Sequence, residues 1–200
     1  MPYPFHHLPV PPMPADPIAL RRFTVREYYA MAEAGILGPD ERVELLDGQV
    51  VAMSPIGARH ADRVSKLAEY FVVRALGLAS VRIQCPIRLD DLSEPEPDLA
   101  LVRIEHDYGD AHPDAAKVHL VLEIAESSLK KDLRTKVPIY ANAGIPEVWV
   151  IALEDDRVHV FRDPAHGTYR YETVLDRRST IQPERLPLLG PIDVDVLLGR

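Results

Sequence analysis

Two carboxylates in strand-like surroundings carry the strongest chemical signal in this chain. Asp98 follows Pro97 and opens the apolar run Leu99-Ala100-Leu101-Val102, and Glu123 closes Val118-His119-Leu120-Val121-Leu122. If adjacent strands bring the two acids to about 5 Å, their repulsion at an effective dielectric of about 20 is roughly 3 kcal/mol. A fold relieves such repulsion by protonating one acid or by binding a cation. Oxygen ligands of this kind suit a hard cation, Mg²⁺ or Mn²⁺, which polarises a phosphoryl oxygen and acidifies water. The spacing alone fits solvated strand ends or ion pairs with neighbouring Lys and Arg equally well.

Three further residues bear on the same chemistry. Asp132, Lys136 and Tyr140 recur at i, i+4 and i+8, so a continuous helix places Lys136 on one face with them. There it acts on a phosphate as a point charge, or else it forms a surface pair with Asp132 contributing only about 0.3 to 0.5 kcal/mol. Pro138 leaves two placements open: a kinked helix interior, or a helix that starts near Thr135 with Asp132 in the preceding loop. His60 lies four residues before Val64 and extends an apolar helix face, as a satisfied core histidine or as a partner of metal or phosphate. Glu44 alternates with Val43 and Leu45, the pattern of a half-exposed strand. Ser127-Ser128 reads as a turn or helix cap. No Gly-rich segment joins a strand to a helix, Gly-x-Ser-x-Gly is absent, and the remaining histidines lack zinc spacing, which excludes a phosphate loop, a serine hydrolase and a structural zinc site.

The elements that must position these residues are legible from periodicity and punctuation. Residues 1–20 are rich in proline and predict an extended arm. Thr24 and Glu27 have capping-box spacing for a helix that ends near Gly35. Asp47-Gly48 predicts a hairpin turn within residues 43–53. Val64, Leu67, Ala68, Phe71, Val72 and Ala75 mark an amphipathic helix. Strands are expected over 81–89, 99–103 and 118–125, a helix over 132–142 ending at Gly144, and a buried strand over 147–152. A second hairpin is expected from 157–162 and 168–175, with Pro164 and Gly167 between them. This order predicts an α/β (mixed α+β) architecture, a mixed central sheet flanked by helices with an N-terminal helix and hairpin, forming one domain over 21–200.

The 200 residues, 46% hydrophobic, suffice for one substantial core and leave little room for a second. A net charge of −8 opposes long-range attraction to nucleic acid, so any such contact must use a local patch such as Lys130, Lys131, Arg134 and Lys136, or a bound metal. The apolar runs are strand-length and predict no membrane span. The first residues lack a signal-peptide pattern, so a cytoplasmic address is expected. Cys85, the single cysteine, reads as a small buried residue.

Several ordered blocks together resemble a known family. They are Glu44-Leu45-Leu46-Asp47-Gly48, Met53-Ser54-Pro55 with Gly57 and His60, Glu96-Pro97-Asp98-Leu99, Glu123-Ile124-Ala125-Glu126-Ser127-Ser128, Asp132, Lys136 and Tyr140, and Ala143-Gly144-Ile145-Pro146-Glu147-Val148-Trp149. Over about residues 22–162 the chain resembles the restriction-endonuclease branch of the PD-(D/E)XK nuclease superfamily, long catalogued as a domain of unknown function. The resemblance implies a restriction-endonuclease-like core and a metal-dependent endonuclease acting on DNA, often as a homodimer. Asp98 and Glu123 would bind Mg²⁺ (or Mn²⁺). Ala125 stands where the general motif has its lysine, so Lys136 from the following helix is the matching residue, and His60 and Glu44 match auxiliary positions. Two other readings stay open: an inactive nucleic-acid-binding or assembly module on the same fold, and a metal-dependent hydrolase of a smaller phosphorylated substrate.

Overall fold

The computed structural model describes residues 20–105, 108–126 and 128–199; the proline-rich arm, apart from Leu20, and Ser127 lie outside the described residues. The first helix, α1 (Val25–Glu33), begins where expected. The Thr24 hydroxyl accepts from the Glu27 N–H at 3.2 Å while the Glu27 carboxylate accepts from the Thr24 N–H at 2.9 Å, and Gly35 follows at φ +70°. Strands β1 (Val43–Leu46) and β2 (Gln49–Ala52) pair antiparallel through Asp47 and Gly48, both left-handed at φ 48° and 76°.

Gly48 is also a packing site. A Cβ there would lie 2.5 Å from Arg22 Cβ and 3.0 Å from Arg22 Cα. Gly48→Ala is therefore expected to destabilise the protein by more than about 1 kcal/mol, combining left-handed strain with a backbone clash. Chemical denaturation checks this; an unchanged midpoint would contradict it.

Helix α2 (Ala58–Arg74) buries Val64, Leu67, Ala68 and Phe71 against one face of a six-stranded sheet. The strands are β3 (Ser80–Ile83), β4 (Leu99–Val102), β5 (Val118–Ala125), β6 (Glu147–Ala152), β7 (Arg157–Ala165) and β8 (Thr168–Leu175), in spatial order β3-β4-β5-β6-β7-β8. Only β5 and β6 pair parallel, which requires a crossover, and the helical run between them supplies it. Both strands are buried along nearly their whole length because helices cover both faces. On the face opposite α2, Val121, Ala125, Val148 and Val150 pack with Val137 and Tyr140 of that run.

Five expectations need correction. The strand predicted over 81–89 stops at Ile83, because Gln84 turns left-handed (φ 47°) and Pro86 cannot donate to a ladder; Cys85 is consequently only partly buried. The crossover helix starts earlier than predicted, as α3 (Leu129–Lys131), continues through a π-helical turn (Asp132–Lys136), and becomes α4 (Val137–Asn142). Of the two placements for Pro138, the kinked interior fails and the late-starting helix holds in part: Pro138 does fall in a first helical turn, but Asp132 lies in a helical turn rather than a loop. The π turn closes through Val137 N–H to Asp132 C=O, and Pro138 sits in the first turn of α4, where its missing N–H is tolerated. Strand β7 runs through Pro164 to a turn at His166 and Gly167 (φ 49° and 79°).

The C-terminal elements had no clear sequence signal. Strands β9 (Thr180–Ile181) and β10 (Ile192–Asp193) and helix α5 (Val194–Leu198) place Ile181, Ile192, Val194, Leu197 and Leu198 in the core beneath α2's face of the sheet. Each is too short to display a period. No described helix is long and apolar enough to cross a membrane.

Candidate active site

The antiparallel register of β4 and β5 pairs Leu99 with Leu122, so the next step outward sets Asp98 opposite Glu123. Leu99 and Leu122 face the α2 core, and alternation turns Glu123 to the opposite face, toward the crossover helix. Both acids line one cleft, together with Glu44, His60, Asp132 and Lys136.

Asp98 is held by three donors or partners. Its Oδ2 accepts from the Ile124 N–H at 2.8 Å and lies 3.0 Å from His60 Nε2, and its Oδ1 accepts from Gln84 Nε2 at 3.3 Å. His60 reaches it from the first turn of α2, and the hydrogen bond to Asp98 raises the imidazole pKa against the opposing effect of burial. His60 Nδ1 is buried and finds no partner among the described residues. The core-histidine reading thus fails in part: the ring leaves the apolar face at its end and turns to Asp98.

Glu123 is 3% exposed. Its Oε1 accepts from Lys136 Nζ at 3.1 Å and from the Tyr140 hydroxyl at 2.6 Å. Burial pushes its carboxyl up to about 8, with Asp132 and Asp98 adding to the rise and Lys136 opposing it. Lys136, 5% exposed, is held far above the usual lysine range by Glu123, Glu44 and Asp132, which outweigh its own burial, so it stays charged. The surface pair with Asp132 therefore does not form; both residues are buried.

Glu44 is the clearest departure from the sequence pattern. It is 2% exposed rather than half-exposed, and its two oxygens take Lys136 Nζ at 3.1 Å and Lys131 Nζ at 3.3 Å. Chain 94–96 covers it: Glu94 bridges Leu45, and the Glu96 N–H donates to Glu44 at 3.3 Å. Of the predicted basic patch, Lys131 and Lys136 are thus engaged with carboxylates, while Lys130 and Arg134 are exposed. Ser128 precedes α3 but its side chain makes no capping bond, contrary to the cap reading; its hydroxyl donates instead to Asp132 Oδ2 at 2.6 Å.

Two residues at the site were not among those singled out for it. Tyr140 was visible as the i+8 member of the helical spacing, and its hydroxyl completes the Glu123 contacts. Gln84 had no sequence signal, because its approach to Asp98 depends on the β3–β4 register and a left-handed backbone.

Among the described residues, no three of His, Cys, Asp or Glu converge as a ready metal cage. Mg²⁺ needs less, since it is commonly held by one or two carboxylates and keeps several waters. The donor set fits that mode: burial raises the pKa values of Glu96, Glu123 and Asp132, and the neighbouring charges of Glu44, Asp98 and Asp132 add to the rise, a repulsion that a cation would relieve.

A mixed sheet carrying Asp98 and Glu123 on adjoining strands, with a lysine-bearing crossover helix over them, is a restriction-endonuclease-like fold. Residues 25–194 match the model of the Uma2 family, described as "Putative restriction endonuclease", and the chain belongs to that family. Among solved structures, "a putative nuclease belonging to DUF820" from Anabaena variabilis superposes with a TM-score of 0.68 at 14% identity, over 88% of this chain and 97% of that one. At that identity the likeness establishes the shared fold. No curated protein matches this chain.

Proposed function

We propose that this protein is a Mg²⁺-dependent endonuclease that hydrolyses DNA phosphodiester bonds, with Asp98 and Glu123 as the metal-holding pair. The observation that supports this most is the meeting of Glu123 with Lys136, 3.1 Å apart, in the cleft that Asp98 also lines. Asp98 and Glu123 would hold a divalent cation, whose chemistry when bound would be to draw charge from the phosphoryl oxygens and acidify an attacking water. Lys136 adds a second, permanently charged group beside the scissile phosphate and stabilises negative charge as it develops. Glu44 and Tyr140 hold that lysine and Glu123 in place, and His60 and Gln84 orient Asp98.

Incubation of supercoiled plasmid with Mg²⁺ is expected to yield nicked or linear DNA, and Asp98→Ala to abolish the activity. Equal cleavage by wild type and variant would sink the proposal. A readout free of turnover follows from Glu123. Its proton must leave before the carboxylate can ligate, so Mg²⁺ is expected to raise the melting temperature more at pH 8.5 than at pH 6.5. Glu123→Gln is expected to remove that difference.

The net charge of −8 and the acid-rich cleft favour a second reading, hydrolysis of a smaller phosphorylated substrate. Competition separates the two: nucleotides that block plasmid cleavage at concentrations where oligonucleotides do not would favour it.

A further inference from the structure

The two edges of the six-stranded sheet differ sharply. β3 has four residues and ends at the left-handed Gln84, whereas β8 has eight and pairs on one side only. Natural edges are usually protected by proline, lysine, a bulge or shortness. The β8 sequence Thr-Tyr-Arg-Tyr-Glu-Thr-Val-Leu has neither proline nor lysine, and Tyr171 and Val174 are 64% and 50% exposed.

The backbone direction of that edge follows from its hairpin. The His166-Gly167 turn joins Ala165 to Thr168 with two residues, which puts Thr168 in a hydrogen-bonded position; the register keeps that alternation at Glu172 and Val174, while Arg170 lies opposite the left-handed Asp163 (φ 57°), where the ladder is interrupted. The N–H and C=O groups of Tyr169, Tyr171 and Thr173 are left pointing to an edge that no described strand covers. Among the described residues, a strand docking there finds a row of donors and acceptors without a ladder partner.

The charges on the strand select what docks. Arg170 and Glu172 flank Tyr171, so Arg170-Tyr171-Glu172 is its own antiparallel complement. Arg170 pairs with Asp163 at 2.9 Å, and Glu172 lies 3.2 Å from His159 Nδ1, both across the β7–β8 ladder. A two-fold axis through Tyr171 would set Arg170 of each copy beside Glu172 of the other, in non-hydrogen-bonded positions where side chains are closest. The charges of Asp163, Arg170 and then Glu172 of the second copy alternate across three strands, with the His159 ring of the second copy beyond.

We infer that the β8 edge is a homodimer interface, in which two copies pair antiparallel about Tyr171 into one continuous sheet. Tyr171 then exchanges both backbone hydrogen bonds with its equivalent, and Tyr169 does so with Thr173 of the second copy. The interface lies at the far side of β6 and β7 from Asp98 and Glu123, so both clefts stay open. It is independent of the reaction assigned to those clefts.

Sedimentation velocity tests the pairing. Wild type is expected to dimerise at micromolar concentration, and Arg170→Glu or Glu172→Arg alone to weaken the dimer about tenfold or more, since each places like charges opposite one another twice. The double reversal Arg170→Glu/Glu172→Arg restores complementarity and is expected to restore the dimer. An equimolar mixture of the two single variants is expected to form a heterodimer. In a Cys85→Ala background, Tyr171→Cys should oxidise to a disulfide-linked dimer, because hydrogen-bonded pairs place Cα atoms about 5.5 Å apart; Val174→Cys, opposite Thr168 of the second copy, should not. A monomeric wild type, as when another segment or a foreign strand fills the edge, overturns the proposal. So does a dimer indifferent to both charge reversals.

Discussion

Replacing Lys136 with methionine is expected to lower plasmid cleavage by about a hundredfold or more and to destabilise the fold by about 3 kcal/mol at pH 8. The two losses have separate causes. On the proposed mechanism, activity falls because the cleft loses its permanent cation beside the phosphate. Stability falls because Glu44 and Glu123, 2% and 3% exposed, lose the ammonium that lies 3.1 Å from each. Breaking a buried pair leaves an uncompensated charge, which costs more than the pair itself contributes.

The stability loss should depend on pH, and its sign can be worked out from Glu123. Its folded carboxyl sits at about 8 against an ordinary value of 4.5, and without Lys136 it rises further. Between those values the folded state holds a proton that the unfolded state has released, so stability falls as pH rises through the window. Wild type and the methionine variant share that fall up to about pH 8, and only the variant goes on losing stability above it, so the gap between them is expected to be widest above pH 8. Urea denaturation at both ends measures this, and a pH-independent loss would count against a buried ion pair as its cause. Lys136→Met with unchanged cleavage would remove the lysine from the mechanism while leaving the structural role intact.

The second large effect lies away from the cleft. Glu147, the first residue of β6, is fully buried, and Arg162 donates to its Oε1 through Nε at 2.9 Å and a terminal nitrogen at 2.6 Å. Trp149 Nε1 donates to the same oxygen at 2.7 Å, and the Glu184 N–H to the other at 2.8 Å. Arg162→Leu is expected to destabilise the protein by about 3 to 5 kcal/mol, because the carboxylate has no route to water. Glu147→Gln added to that variant should recover part of the loss by removing the stranded charge. Glu147→Gln alone should cost less, since the Arg162 side chain is 27% exposed and can turn outward. Equal losses from the two single changes would contradict the asymmetry.

These contacts also mark where the sequence stopped being informative. Local signals settled by the chain's own neighbours came through: the Thr24 and Glu27 capping box, the Asp47-Gly48 turn, the apolar stripe of α2 except for the exposed Val72, and the buried runs of β5 and β6. Each depends on residues within one or two turns, or on burial strong enough to suppress alternation. The family blocks, read in order, pointed to the same fold that the 25–194 match supports.

What depended on distant partners was not legible. The alternation around Glu44 reads as half-exposed because nothing within β1 says that residues 94–96 and two lysines will close over it. Asp132 and Lys136 share a face by spacing, yet the spacing cannot tell a surface pair from a buried one. That was decided by the crossover helix lying on β5 and by the π turn before Pro138. The sequence by itself determined which acids stand at strand ends and which lysine follows them. Only the tertiary structure decided that Asp98 and Glu123 face each other across one register step with Lys136 above Glu123, because pairing register and helix docking are set by burial over the whole sheet.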